Sequence, residues 1–188
     1  DSDGDNADAL HLLGRIHLFR QEYDAADELY TRLRGMDPSD ETARENLRQA
    51  HIRRGFQARE VGDLEATERH YRAAIEIDPG YILAYTSLAD VYCLRLGRCS
   101  DAVKLLERAI ERDPAAVEPR VGLGRARLRL GRDEAAVWVF REIVAADTTV
   151  AKAYNGLGVA YTRLGQFEAD AEALRRAIHL DLLNAEIH

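Results

Sequence analysis

Between Val150 and Leu164 the small and apolar residues fall at Ala153, Leu157, Ala160, Tyr161 and Leu164, a spacing of three and four that predicts one face of a helix. Gly165 breaks that pattern, and a second stripe follows at Phe167, Ala171, Leu174, Ala177 and Ile178, ending near Asp181. The arrangement is periodic. The decapeptide GLGVAYTRLG, which starts at Gly156, has a counterpart, GLGRARLRLG, that starts 34 residues earlier at Gly122. Asp78, Asp113, Asp147 and Asp181 mark the same period, 35, 34 and 34 residues apart, and Asp37 precedes Asp78 by 41. Proline follows three of these aspartates, as Pro38, Pro79 and Pro114, where it stops a helix it cannot continue. No segment alternates as a half-buried strand would. The expected class is all-α, a helix, a tight turn and a second helix repeated five times.

The residues within each period resemble the tetratricopeptide repeat, whose pattern is Trp-x2-Leu-Gly-x2-Tyr, then Ala-x3-Phe, then Pro. The fifth copy reads Tyr154-x2-Leu157-Gly158-x2-Tyr161, and the third reads Tyr85-x2-Leu88-Ala89-x2-Tyr92, Ala102-x3-Leu106, Pro114. Leu123-Gly124 and Ala136-x3-Phe140 mark the fourth, with Thr148 in place of proline. The first has Leu13-Gly14, Ala26-x3-Tyr30 and Pro38, and the second has Gly55, Thr67-x3-Tyr71 and Pro79. The resemblance implies a right-handed α-solenoid. Its copies are expected at about 7–40, 41–81, 82–116, 117–150 and 151–181, after an acidic linker at 1–6 and before the start of a truncated further or capping helix at 182–188.

This register gives the glycines their role. Gly14, Gly55, Gly124 and Gly158 fall mid-helix, where glycine costs about 0.5–1 kcal/mol against alanine, so a neighbouring helix must come too close for a Cβ. Gly62, Gly97, Gly131 and Gly165 fall at turns that favour positive φ. A dinucleotide loop would need a preceding strand, and glycine where Tyr161 stands. Seven extra residues around DETAREN lengthen the second copy. Because seven is close to two helical turns, they predict one long helix from about Asp40 to Val61, capped by Ser39 or Asp40 and reaching roughly 10 Å further than the others. The third copy carries one extra residue near CLRLGRCS, expected as a longer turn. Asp170 takes a slot the pattern reserves for alanine, and Leu182 follows Asp181 where proline is usual.

Composition narrows the chemistry. A net charge of −7 over 188 residues argues against a nucleic-acid module. No apolar run approaches the roughly 20 residues of a membrane span. Cys93 and Cys99 are too sparse for a disulfide scaffold and are expected as free thiols, which favours a reducing, cytoplasmic setting. The six histidines show no metal-binding spacing, and the opening DSDGDNAD lacks the glycine and glutamate a calcium loop needs, with Asn6 and Leu12 in their places. No serine has a nucleophile's context. No catalytic residue, cofactor or metal is expected.

What remains is surface. The resemblance implies that first helices line a concave face, and the peptide-contacting positions are then Arg15; Ile52, Phe56 and Arg59; Leu83, Thr86 and Asp90; Val121, Arg125 and Leu128; and Lys152, Asn155 and Val159. His11, Leu18, Cys93 and Thr162 flank them. Apolar residues in such a face mark a contact surface, and the arginines favour a partner with carboxylates. One subclass of the family clamps the acidic tails of heat-shock chaperones, but the clamp positions here hold His11, Arg15, Arg53, Leu83 and Ser87, and no shifted frame fits. The expected function is a non-catalytic scaffold that binds a protein or peptide segment. The alternative is the repeat arm of a larger enzyme, such as a glycosyltransferase or oxygenase, that presents substrates to a catalytic domain.

Overall fold

The computed structural model describes residues 2–186, and every regular element among them is helical. The helices are α1 (Ser2–Phe19), α2 (Tyr23–Met36), α3 (Glu41–Val61), α4 (Leu64–Ile77), α5 (Ile82–Asp90), α6 (Cys99–Arg112), α7 (Val117–Arg129), α8 (Asp133–Ala146), α9 (Ala151–Arg163) and α10 (Phe167–Glu186). They form successive antiparallel pairs of the α-solenoid class: α1 to α4 pack each on the next in one run, and α6 to α10 do so in another. The chain divides into two compact units, Asp1–Leu88 and Ala89–His188. In the first, Leu10, Ala26, Tyr30, Leu33, Ala43 and Leu47 form a core shared by α1, α2 and α3. In the second, Leu106, Leu123, Phe140 and Leu157 are among the buried side chains.

Two local devices repeat along the chain. The turns inside the pairs place Gly62, Gly97, Gly131 and Gly165 at φ between 66° and 81°, the left-handed region that glycine enters without a Cβ penalty. Gln21 occupies the equivalent place in the first pair at φ 61°, the one non-glycine to do so among the described residues. The second device explains the aspartates. Asp37, Asp78, Asp113 and Asp147 each end a second helix in extended backbone. Their Oδ1 atoms accept the N–H two residues on, from Ser39 at 2.8 Å, Gly80 at 3.1 Å, Ala115 at 3.0 Å and Thr149 at 2.8 Å. This side-chain turn closes the helix whether or not proline follows, so Thr148 is tolerated after Asp147.

The mid-helix glycines meet the bulky residue of the second helix. An added Cβ would lie 2.7 Å from the Tyr30 ring at Gly14, 2.6 Å from Tyr71 at Gly55 and 2.5 Å from Phe140 at Gly124. The Phe140 ring is also pressed from the other side by Gly156, where a Cβ would come within 2.3 Å. The close approach is thus between helix backbone and ring, with Ala26, Ala102 and Ala136 fully buried alongside.

The extended second copy is a single helix, α3, of 21 residues against 13 in α7 and α9. Asp40 caps it by accepting the Ala43 N–H at 2.8 Å. Arg44 and Arg48, in the added turns, reach Asp78 at the end of α4, with Arg48 Nη1 2.8 Å from its Oδ2 and the guanidinium over the Tyr81 ring at 4.0 Å.

Four expectations change. The acidic opening is helical from Ser2 rather than a linker, and residue 1 lies outside the described residues. The extra residue of the third copy is absorbed inside the helix, as a π-helical turn at Val91–Arg95, where the Leu96 N–H donates to the Val91 carbonyl at 3.1 Å. Cys93 and Cys99 are not free thiols but a disulfide that ties the middle of this turn to the start of α6. Their spacing in sequence carried no information on the 4.1 Å between their Cα atoms. Finally, α10 runs through Asp181 without a break to Glu186, so 182–186 continue that helix and begin no other; 187 and 188 lie outside the described residues.

Candidate functional site

In the first unit, α1 and α3 leave a cleft of about 470 Å³ between them. Arg15 and Leu18 of α1 line one wall, and Asn46, Gln49 and Arg53 of α3 the other. The α3 positions are three and four apart, one face of the helix, and Phe56 continues the same stripe. Among the described residues neither Arg15 nor Arg53 has an ion-pair partner. Two guanidiniums and two amides therefore face solvent with their donors available.

Ile52, expected on this face, is 5% exposed and belongs to the core. Successive helical residues are about 100° apart, so a one-residue error of phase turns Ile52 inward and Arg53 outward. Phe56 is half-buried, edge-on to Tyr71 with ring centroids 5.8 Å apart, and the Arg59 guanidinium lies 5.0 Å from its centroid. Leu83 is exposed at 44%, and the half-buried Thr86 spends its hydroxyl on the Leu83 carbonyl at 3.1 Å.

In the second unit the expected face divides. Val121 and Leu128 of α7 are 2% and 6% exposed, so these two are core and not contact residues. Their places were read from a repeat in which the face is open, but α7 packs against α6, α8 and α9 together. Arg125 is exposed, with its guanidinium 3.8 Å from half-buried Asp90. On α9, Lys152, Asn155, Val159 and Thr162 form an exposed stripe, and the Lys152 ammonium sits 2.9 Å from Glu118. These are solvent-screened pairs worth about 0–1 kcal/mol, which a competing carboxylate can displace. Cys93 is buried in the disulfide.

A buried polar group stands behind α3. His51 and His70 bring their Nδ1 atoms to 3.3 Å, and His51 Nε2 lies 3.5 Å from Asp27, which Arg54 also holds at 2.9 Å. Burial, reinforced by Arg54, pushes His70 down to about 4, and burial likewise lowers His51. Both imidazoles are therefore neutral at pH 7, one donating and the other accepting. No cluster of three or more His, Cys, Asp or Glu among the described residues is arranged to hold a metal ion, and no described helix is long and apolar enough to cross a membrane.

Three family models described as tetratricopeptide repeat match the chain, at residues 9–42, 94–151 and 150–180. No curated protein sequence matches it. Among solved structures, the MamA protein superposes with a TM-score of 0.68 at 16% identity, covering 97% of this chain and 96% of that one. YrrB, whose structure is described as a protein of this repeat class with an unusual peptide-binding site, gives 0.65 at 20% identity, covering 95% and 91%. PilW, described as a widely conserved type IV pilus biogenesis factor, gives 0.62 at 16%, covering 93% and 77%. At such identities the likeness establishes the fold.

Proposed function

Because the chain belongs to the tetratricopeptide repeat family, we propose that it is a non-catalytic scaffold whose first helices hold a segment of a protein partner. The observation that carries this reading is the α1–α3 cleft, where Arg15, Gln49 and Arg53 point polar donors outward that no described contact of the fold uses. A guanidinium binds a carboxylate in bidentate fashion, so the partner segment carries acidic side chains, with apolar ones to meet Leu18 and Phe19. In the second unit, the α9 stripe of Lys152, Asn155 and Val159 offers the same mixture of cation, amide and apolar surface. The peptide-binding site in the description of YrrB is consistent with this use of the fold.

Partner capture followed by calorimetry tests the reading. Arg15→Glu with Arg53→Glu is expected to weaken a captured partner at least tenfold, a loss of about 1.4 kcal/mol, without lowering the melting temperature, since both residues are exposed. Unchanged affinity in the doubly reversed protein would remove the α1–α3 cleft as the site.

A further inference from the structure

A second cleft, of about 670 Å³, opens in the other unit between α8 and α10, with α9 as its floor. It lies on the side of the second helices, away from the α9 stripe named above. Leu157 and Ala173 form its apolar base, and Tyr154 and Tyr161, both half-buried, stand in it. Arg141 rises from α8, and Arg175 and Arg176 from α10. Among the described residues none of these three guanidiniums has an ion-pair partner, and Glu172 is the one carboxylate in the lining. In a chain of net charge −7, that is a local excess of positive charge. Arg141 also borders an adjoining hollow with Val137, Trp138, Glu134 and Glu142, so the positive charge is confined to the cleft itself; Trp138, the only tryptophan in the chain, is 60% exposed there.

The geometry points to a docking site for an acidic peptide segment in the α8–α9–α10 cleft, with Trp138 at its edge. Arginine, tyrosine and tryptophan clustered around an apolar floor are the residue types that dominate binding energy at protein interfaces. The three guanidiniums select carboxylates, and the phenol rings and Leu157 take the intervening apolar side chains. A peptide is the fitting occupant rather than a nucleic acid, because the negative charge of the whole chain repels a long polyanion while a short segment meets only the local field. The site is separate from the α1–α3 cleft and stands or falls independently of it.

Trp138 supplies its own reporter. A short synthetic peptide alternating glutamate with leucine is titrated into the whole chain while tryptophan fluorescence is followed, with a lysine–leucine peptide and a single-stranded oligonucleotide as competitors. The acidic peptide is expected to shift the emission saturably, more weakly as salt is raised. Arg175→Glu with Arg176→Glu, both on the surface of α10, is expected to weaken it at least tenfold, whereas the equal charge reversal at exposed Arg32→Glu with Arg112→Glu, outside both clefts, leaves the titration unchanged. Circular dichroism confirms that the reversed variant is folded; should it fail to fold, Arg141→Ala is expected to show the same direction of effect. No response to the acidic peptide, equal binding of the lysine–leucine peptide, preferential binding of the oligonucleotide, or full binding by a folded Arg175→Glu/Arg176→Glu variant or by Arg141→Ala each overturns the proposal.

Discussion

At the scale of single residues, the fold depends on where a Cβ is present or absent. Four turns of one kind are held by glycine and the fifth by Gln21, at φ 61°. A side chain in the left-handed region costs about 1–2 kcal/mol, and glycine returns part of that through its freer unfolded chain. Gln21→Gly is therefore expected to raise stability by about 0.5–1 kcal/mol, read as a shift of the denaturant midpoint at constant slope. A lower midpoint would mean that Gln21 makes an interaction in the turn that outweighs its backbone strain. The sequence hid this position because glutamine does not announce a turn, whereas Gly62, Gly97, Gly131 and Gly165 do.

At the scale of helices, α3 and α4 enclose the paired imidazoles of His51 and His70. Asp27 from α2 and Arg54 from α3 face them, and Arg69 lies beside His70 on α4. The His70 imidazole titrates near 4 in the folded chain and near 6.5 when unfolded, so between these values the unfolded chain binds more protons. Its neutral form supports the fold fully above pH 6.5, and that support is lost progressively as the pH falls from 6.5 to about 4. Melting temperatures measured across this window are expected to fall on acidification, and to fall less steeply in His70→Gln. An identical slope in the variant would place the acid sensitivity elsewhere. The phase of α3 was harder to read than its length. Ala43, Leu47 and Ala50 are all buried, but the added turns blur which of Ile52 and Arg53 faces out, and only packing decides.

At the scale of the molecule, helices pack mainly on those next to them within each of two compact units, so stability is expected to be regional rather than all-or-none. Gly55→Ala tests this. Its Cβ would sit 2.6 Å from the fully buried Tyr71 ring, and such overpacking costs about 1–3 kcal/mol against the roughly 1 kcal/mol that alanine returns to a helix. Amide exchange should accelerate across α1 to α4 and change little across α7 to α9; uniform acceleration would mean one cooperative fold. The period, the helix pairs and the long α3 were legible because each is written locally, in spacing and turn residues. The disulfide and both clefts were not. Arg141, Tyr161 and Arg175 belong to three different helices, and nothing in the sequence near any one of them names the other two.

The chain also carries two additions that it accommodates in different ways. The seven extra residues of α3 make almost two whole turns, so every side chain beyond them returns to the side it left. The single extra residue after α5 cannot do this, and the helix widens locally at Val91–Arg95 to take it in. Growth in such a fold is therefore quantised. A lineage can lengthen a helix by whole turns or hide one residue in a wider coil, but an insertion of two or five would swing the buried stripe to the outside and strand the ring-and-glycine contacts beyond it.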